Sequence, residues 1–274
     1  SSTSRPTRRS TPISSGVRST VGGDVTALLR YAYQPGEGVL PLFESTGQMT
    51  AGSAERRYSV NQGGHTGALF GANSLNATPL SMFSGFNVPL PAAFFLSPSL
   101  CYTYATRDNA VNWSAARRLT IAYNPRAPYV LLPNGAVAAG NTSYGRTYDG
   151  WTPAVALSYR PVTTQTAFLA LSTSFEPPTH DDLLAPVNGT PNSSAGRPNP
   201  AQPGLASTAF ATPALRAQTA TTLEAGWRGR YERVSWDAVV YYSWVYNELL
   251  SLRDSSGAPL ASQNADRTRH FGIE

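Results

Sequence analysis

The segment SFEPPTHDDLLAP, Ser174 to Pro186, sets His180 directly beside Asp181 and Asp182. An imidazole next to two carboxylates is the donor set of a metal centre or an acid–base pair, and it is the densest such cluster in the chain. The other chemistry-bearing residues do not extend it. His65, His180 and His270 stand far apart, with no two at a metal-binding helical spacing, and Cys101 is the single cysteine. That cysteine count leaves no disulfide framework, zinc knuckle or iron–sulfur spacing, and Cys101 reads as a buried thiol. All 21 basic residues are Arg. The absence of Lys removes Schiff-base lysines, Ser–Lys dyads and the phosphate-binding loop motif together, and no nucleophile elbow is present. The sequence therefore predicts no catalytic residue, no metal site and no cofactor. The flanking residues supply a different reading. Pro177 and Pro178 end ladder pairing after Phe175, and Thr179, Asp181 and Asp182 offer capping oxygens ahead of Leu183 and Leu184. A short helical turn in a loop follows.

The elements around that turn are strands. The chain has 274 residues, 41% of them hydrophobic and only 14% charged, with Ser, Thr, Asn, Gly, Pro and Tyr abundant. This balance suits an all-β protein with many turns. From Trp151 to Arg160, Trp151, Pro153, Val155, Leu157 and Tyr159 share one face, and small or polar residues the other. A turn of about five residues leads to a second strand, Thr166 to Phe175, whose two faces look alike. A long Pro/Asn/Ser/Gly segment follows to about Ala214. Thr221 to Gly229 then alternates Leu223, Ala225 and Trp227 against Glu224, Gly226 and Arg228. After a tight turn, Val234, Trp236, Ala238, Val240, Tyr242 and Trp244 share a face, and a further loop over 247–267 precedes a last strand at Thr268.

Short and long connections in alternation are the signature of an up-and-down transmembrane barrel, with tight turns on one side of the bilayer and long loops on the other. No apolar run is long enough for a membrane helix, so a bilayer would be crossed by strands. Glu224, Arg228 and Asp237 all fall on the polar face, where charge is solvated. Four of the five tryptophans fall on the apolar faces. Trp227 and Trp236 would mark the lower rim of a membrane band, and Trp151 and Trp244 the upper. The eight-residue step from Trp236 to Trp244 is about 27 Å of strand, or roughly 20 Å of a ~25 Å apolar band when tilted. The core of a soluble sandwich is the alternative for these tryptophans.

The first half is less patterned. Asp24 to Gln34 alternates as a strand, a hairpin around Pro91 joins Phe86–Leu90 to Phe94–Arg107, and NQGG and LPNGAVAAGNTSYG read as connections. Residues 1–23, with Arg5, Arg8, Arg9 and Arg18 among Ser, Thr and Pro, read as a poorly structured basic segment. Without interleaved aromatics it makes no nucleic-acid site, despite the net charge of +5. The opening Ser1 and the strand-like end at Glu274 read as a piece of a longer protein.

The second half resembles the barrel of TonB-dependent outer-membrane receptors. Phe175-Glu176-Pro177-Pro178-Thr179 is similar to that family's Phe-x-x-Pro motif at the mouth of a long loop, and residues 152–161 to its preceding downward strand. Leu215-Arg216-Ala217-Gln218-Thr219 with Glu224, Gly226 and Arg228 resembles Leu-Lys/Arg-Pro-Glu-Thr…Glu-x-Gly-x-Arg, with Ala217 and Gln218 where Pro and Glu are usual. Asn264-Ala265-Asp266-Arg267-Thr268 with Gly272-Ile273-Glu274 resembles the opening of the next strand. The resemblance implies residues 24–274 as part of a barrel of about 22 strands. It further implies a bacterial outer-membrane location with lipid as a partner, a plug domain not contained here, and coupling through that plug to the TonB complex of the inner membrane. The implied activity is active uptake of a scarce small-molecule ligand such as a ferric siderophore, with no enzymatic step. Its implied ligand-facing loop residues are Tyr144, Arg146, Tyr148, Glu176, His180, Asp181, Asp182 and Arg197. Two alternatives stay open: a passive porin-type barrel, and a secreted adhesin-like β protein suggested by sequons at Asn76, Asn112, Asn141, Asn188 and Asn192.

Overall fold

The computed structural model describes residues 9–13, 16–34, 42–62, 65–114, 118–119, 136–137, 143–186, 210–252 and 262–274. The strands are β1 (Arg9–Ile13), β2 (Gly16–Tyr33), β3 (Phe43–Gln62), β4 (His65–Phe86), β5 (Val88–Leu90), β6 (Phe94–Ser114), β7 (Arg118–Leu119) and β8 (Ala136–Val137), followed by β9 (Tyr144–Val162) and β10 (Gln165–Glu176). After helix α1 (His180–Leu183) come β11 (Ala185–Pro186), β12 (Phe210–Ala211), β13 (Gln218–Tyr231), β14 (Val234–Leu250) and β15 (Gln263–Ile273). One antiparallel sheet runs β1-β2-β3-β4-β6-β9-β10-β13-β14-β15, with β5 folded back on β6, while β7–β8 and β11–β12 form two small ladders of their own. Every step in the large sheet joins sequence neighbours among its long strands, the up-and-down order expected from the loop lengths. The sheet is an open arc of a barrel.

Several strands run further than alternation alone indicates. β9 begins at Tyr144 rather than Trp151, and β14 continues to Leu250, so the loop expected over 247–267 shrinks to 251–262. Polar residues that would break a buried strand are at ease on these extensions, because only part of each strand needs an apolar face. The β9–β10 connection is likewise tighter than its composition suggests, with only Thr163 and Thr164 between the strands. β2 starts at Gly16 and pairs along its length with β3, so strand structure reaches into the segment expected to be poorly structured. Ser, Thr and Val fit a ladder once a partner strand is supplied. Residues 1–8 lie outside the described residues, as does most of LPNGAVAAGNTSYG.

The pairing registers carry one face through the sheet. Leu29 opposes Gly47, Gly47 opposes Met82, Met82 opposes Tyr102, and Tyr102 opposes Trp151. Val155 opposes Leu171, Leu171 opposes Leu223, Leu223 opposes Tyr242, and Tyr242 opposes Phe271. These positions form an apolar outer surface on which Leu29 is 77% and Trp151 63% exposed. So large an uncovered apolar face belongs against lipid rather than water. The faces of β10 separate here too: Leu169 and Leu171 are exposed on the outer side, while Phe168 lies beneath the Arg228 guanidinium, 5.0 Å from it.

Three glycines are each opposed by a large aromatic. Phe168 faces Gly226, Trp236 faces Gly229 and Tyr241 faces Gly272, and each ring lies where a glycine Cβ would project. A bare backbone opposite a bulky ring lets the aromatic lie flat along the sheet, a cross-strand packing that fixes register. Gly226 and Gly272 of the family-like motifs have this structural explanation.

Candidate ligand-facing rim

His180, Asp181 and Asp182 lie where β10 leaves the sheet at the long-loop end. α1 is closed by a capping box. The Thr179 hydroxyl accepts from the Asp182 backbone N–H at 3.3 Å, and the Asp182 carboxylate accepts from the Thr179 backbone N–H at 2.9 Å. Asp182 also accepts from the Ser262 hydroxyl at 3.3 Å. Asp181 forms an ion pair with Arg56 of β3 at 2.9 Å, in which the arginine side chain is 9% exposed and the aspartate 62%. The Arg107 guanidinium of β6 donates to the Pro178 carbonyl at 3.2 Å. Below these polar ties, Leu183 and Leu184 pack with Tyr144, Tyr148 and Leu215, flanked by Phe175, Ala217 and Leu249.

These contacts fix the shape of the sheet. β3 and the residue preceding β15 are held by neighbouring side chains of a four-residue helix about 6 Å long. In a flat sheet they would be seven strand spacings apart, about 34 Å. The sheet must curl around α1, which identifies the face carrying Arg56, Arg107, Tyr144 and Tyr148 as the inner wall.

His180 is held from two sides. Its Nε2 lies 3.0 Å from the Asn76 carbonyl of β4 and its Nδ1 lies 2.7 Å from the Tyr144 hydroxyl. A carbonyl only accepts, so Nε2 carries the hydrogen, and in the neutral ring Nδ1 accepts from Tyr144. Burial holds the imidazolium pKa below the ordinary 6.5. The Asn76 carbonyl pulls the other way, Arg107 and Arg56 lower it further, and Asp181 opposes them. The sign of the linkage follows. As pH falls below 6.5, a released His180 takes up a proton before the docked one does, so docking of α1 is strongest above 6.5 and weakens through the acid range. Amide exchange over 179–184, corrected for intrinsic rates, should therefore be less protected at pH 5.5 than at pH 7.5. His180→Gln should abolish that dependence; an unchanged dependence would assign it to another group.

The expected ligand-facing residues separate into distinct environments. Tyr144, Arg146 and Tyr148, read from sequence as loop residues, stand on β9; Tyr144 and Tyr148 are buried against α1, with the Tyr148 hydroxyl 3.4 Å from the Leu215 carbonyl, and Arg146 is half-buried. Gly145, Asp149 and Gly150 give that stretch a loop-like composition, which hid the strand. Glu176 accepts from the Gln218 amide at 3.3 Å, and the Gln218 carbonyl oxygen accepts from the Leu249 backbone N–H at 2.9 Å. A Glu at 218, the family's usual residue, could not donate to Glu176, so the departure at 218 matches this pairing. Arg197 lies outside the described residues. Among the described residues no three His, Cys, Asp or Glu side chains converge on a common point.

The family-like residues knit this rim. Pro178 is fully buried and Leu215 belongs to the cluster with Leu183. Asn264 holds both Arg216 and Asn247 through its side-chain amide. Glu224 and Arg228 lie on the inner side of β13, and the backbone of Glu274 exchanges two bonds with Val239. Pro177 stands between β10 and α1. Sequence reasoning missed Arg56, Asn76, Arg107 and Ser262, the inner-wall partners of α1. Nothing local marks them, because each lies 71 or more residues from its partner. On the outer face, Trp227 and Trp236 touch edge to face at 5.3 Å beside the β13–β14 turn, and Trp151 and Trp244 lie towards the other end, against Tyr102 and Tyr242.

Comparison with known proteins agrees with this architecture. No curated protein matches the chain significantly. Among solved structures, it is similar to the ferric yersiniabactin uptake receptor FyuA from Yersinia pestis, at 12% identity and a TM-score of 0.58, over 97% of this chain and 34% of that one. It is also similar to the copper transporter OprC, at 15% identity and 0.57, over 94% and 35%, and to the unliganded ferric citrate transporter FecA, at 10% and 0.54, over 94% and 32%. The chain thus spans about a third of the length of these structures. A family model described as TonB dependent receptor-like, beta-barrel matches residues 13–274. With the open up-and-down sheet, its lipid-type outer face and the rim motifs, this match establishes that the chain belongs to the TonB-dependent receptor β-barrel family.

Proposed function

We propose that the chain forms part of the barrel wall of an outer-membrane receptor that actively takes up a scarce ligand, an iron–siderophore complex. The observation that carries the reading is the family match over residues 13–274, since this family's barrels serve energised uptake. Of the three similar structures, two bear names of ferric-chelate transporters and one that of a copper transporter, so ferric chelates are the cargo to test first. On this reading the protein works with a plug domain, the TonB complex and outer-membrane lipid, and performs no bond chemistry. Trp151, Trp227, Trp236 and Trp244 serve as membrane girdles. Arg146, half-buried on β9, is the described candidate left free to meet ligand, and Arg197, outside the described residues, is the other candidate. Tyr144, Tyr148, Glu176, His180, Asp181 and Asp182 hold the stretch from the end of β10 through α1 against the wall.

Uptake of iron-55 presented as a mixture of hydroxamate and catecholate siderophores tests this in cells carrying or lacking the gene. The expected result is gene-dependent accumulation that a protonophore abolishes. Gene-dependent accumulation that survives the protonophore would identify a passive porin-type pore, and accumulation independent of the gene would remove iron chelates as the cargo.

A further inference from the structure

The outer surface of β14 and β15 carries a feature that uptake does not use. Register places Arg269 opposite Trp244 and Arg267 opposite Tyr246, so both arginines share the outer face with these aromatics. The Arg267 guanidinium lies 5.1 Å from the Tyr246 ring centroid, and Trp244 meets Tyr242 edge to face at 4.7 Å. Directly below are Val240, Tyr242, Phe271 and Ile273, which share this outer face.

An arginine on a lipid-facing surface is costly at the bilayer midplane and nearly free at the interface. Trp244 and Tyr246 put Arg267 and Arg269 at the interfacial level on the long-loop side. Stacking on Tyr246 covers one face of the Arg267 guanidinium and leaves its in-plane N–H groups for acceptors. Among the described residues neither arginine takes part in an ion pair, whereas the exposed Arg57 of β3 is bound through two nitrogens by Glu55, at 2.9 and 3.3 Å. Glu248, the carboxylate nearest in sequence on β14, is bonded to Thr268 and His270.

We propose that Arg267 and Arg269, framed by Trp244 and Tyr246, bind the phosphate headgroup of an anionic lipid in the leaflet on the long-loop side, with its acyl chain lying over Tyr242, Phe271 and Ile273. Paired guanidiniums match phosphate oxygens in geometry and charge. The continuous apolar strip beneath them favours a lipid over a free anion. The inference rests on the barrel fold and its outer face, and is independent of what is transported.

The test uses the protein extracted from membranes in mild detergent, loaded with dioleoyl phosphatidic acid and read by native mass spectrometry for retained lipid. Dioleoylglycerol, which lacks the phosphate, should be retained far less. The Arg267→Gln/Arg269→Gln protein should lose affinity for phosphatidic acid about 30-fold, near 5-fold per arginine. Arg233→Gln, a charge removal at the opposite end of the barrel, should retain it fully. Heat-modifiable gel mobility confirms that each variant is folded. Equal retention of dioleoylglycerol by the unaltered protein would overturn the proposal without reference to any variant. So would an equal loss in Arg233→Gln, or full displacement by millimolar inorganic phosphate, which would indicate a simple anion site.

Discussion

A Leu183→Ala protein should keep its barrel and lose its rim. Leu183 is 1% exposed at the centre of the cluster with Tyr144, Tyr148, Leu184 and Leu215. Truncating a leucine so enclosed costs about 2–5 kcal/mol, because the surrounding rings are tied to strands and cannot close the void. The sheet itself is held by ladder bonds along strands of 11 to 22 residues that do not involve α1. The loss should therefore appear locally. Amide exchange over 179–184 and 212–218 should accelerate by about 30-fold or more, while heat-modifiable mobility stays as before. Unchanged exchange at 179–184 would mean that the polar ties alone, Asp181 to Arg56 and His180 to Asn76, suffice to hold the segment.

That division between barrel and rim also separates what could be read in the sequence from what could not. Alternation is a property of neighbouring residues, so the outer faces of β9, β13 and β14 were legible, and with them the placing of Trp151, Trp227, Trp236 and Trp244 on one surface. The capped turn was legible for the same reason, since Thr179 and Asp182 sit three residues apart, whereas Asp181, expected to cap beside them, pairs with Arg56 instead. Strand ends were not, because beyond the membrane band neither face need be apolar and the pattern dissolves into polar and glycine residues, as at Tyr144–Gly150. The partners of α1 were invisible: Arg56, Asn76, Arg107 and Ser262 become neighbours only when the sheet curls. Sequence therefore located the His-Asp-Asp cluster and favoured a capped turn at a loop mouth over a metal or acid–base site, but the curled sheet was needed to show what it holds.

This placement gives the loop a mechanical character. Its root enters the barrel mouth rather than projecting from it, and it touches β3, β4, β6 and β9 together. A change in docking of α1 would be felt by strands far apart in the sheet, and the acid sensitivity of His180 is one means of changing it. The outer wall is separate from that device. Its arginine pair on β15 faces the opposite side of the sheet from His270 and its partner Glu248.

The second large effect lies at Asn264, where one side chain joins three segments. Its Oδ1 accepts from the Arg216 backbone N–H at 2.8 Å, and its Nδ2 donates to the Arg216 carbonyl at 3.0 Å and the Asn247 carbonyl at 2.8 Å. Only this orientation of the amide satisfies all three, since the carbonyls cannot donate. Asn247 itself sits at φ 52, a left-handed conformation that asparagine tolerates better than most residues, and the bond from Asn264 helps fix that turn of the backbone within β14. Removing the amide in Asn264→Ala should cost about 2–3 kcal/mol, roughly 1 kcal/mol per bond. Exchange at 215–217 and 247–249 should rise together by about 30- to 150-fold. Asn264→Asp is the sharper variant. It is nearly the same size and keeps the acceptor for Arg216, but it loses both donors and turns a carboxylate oxygen towards two carbonyls, so it should be at least as damaging as alanine. If Asn264→Asp exchanged like the unaltered protein, the two donor bonds would contribute nothing and the joint would rest on the Arg216 contact alone.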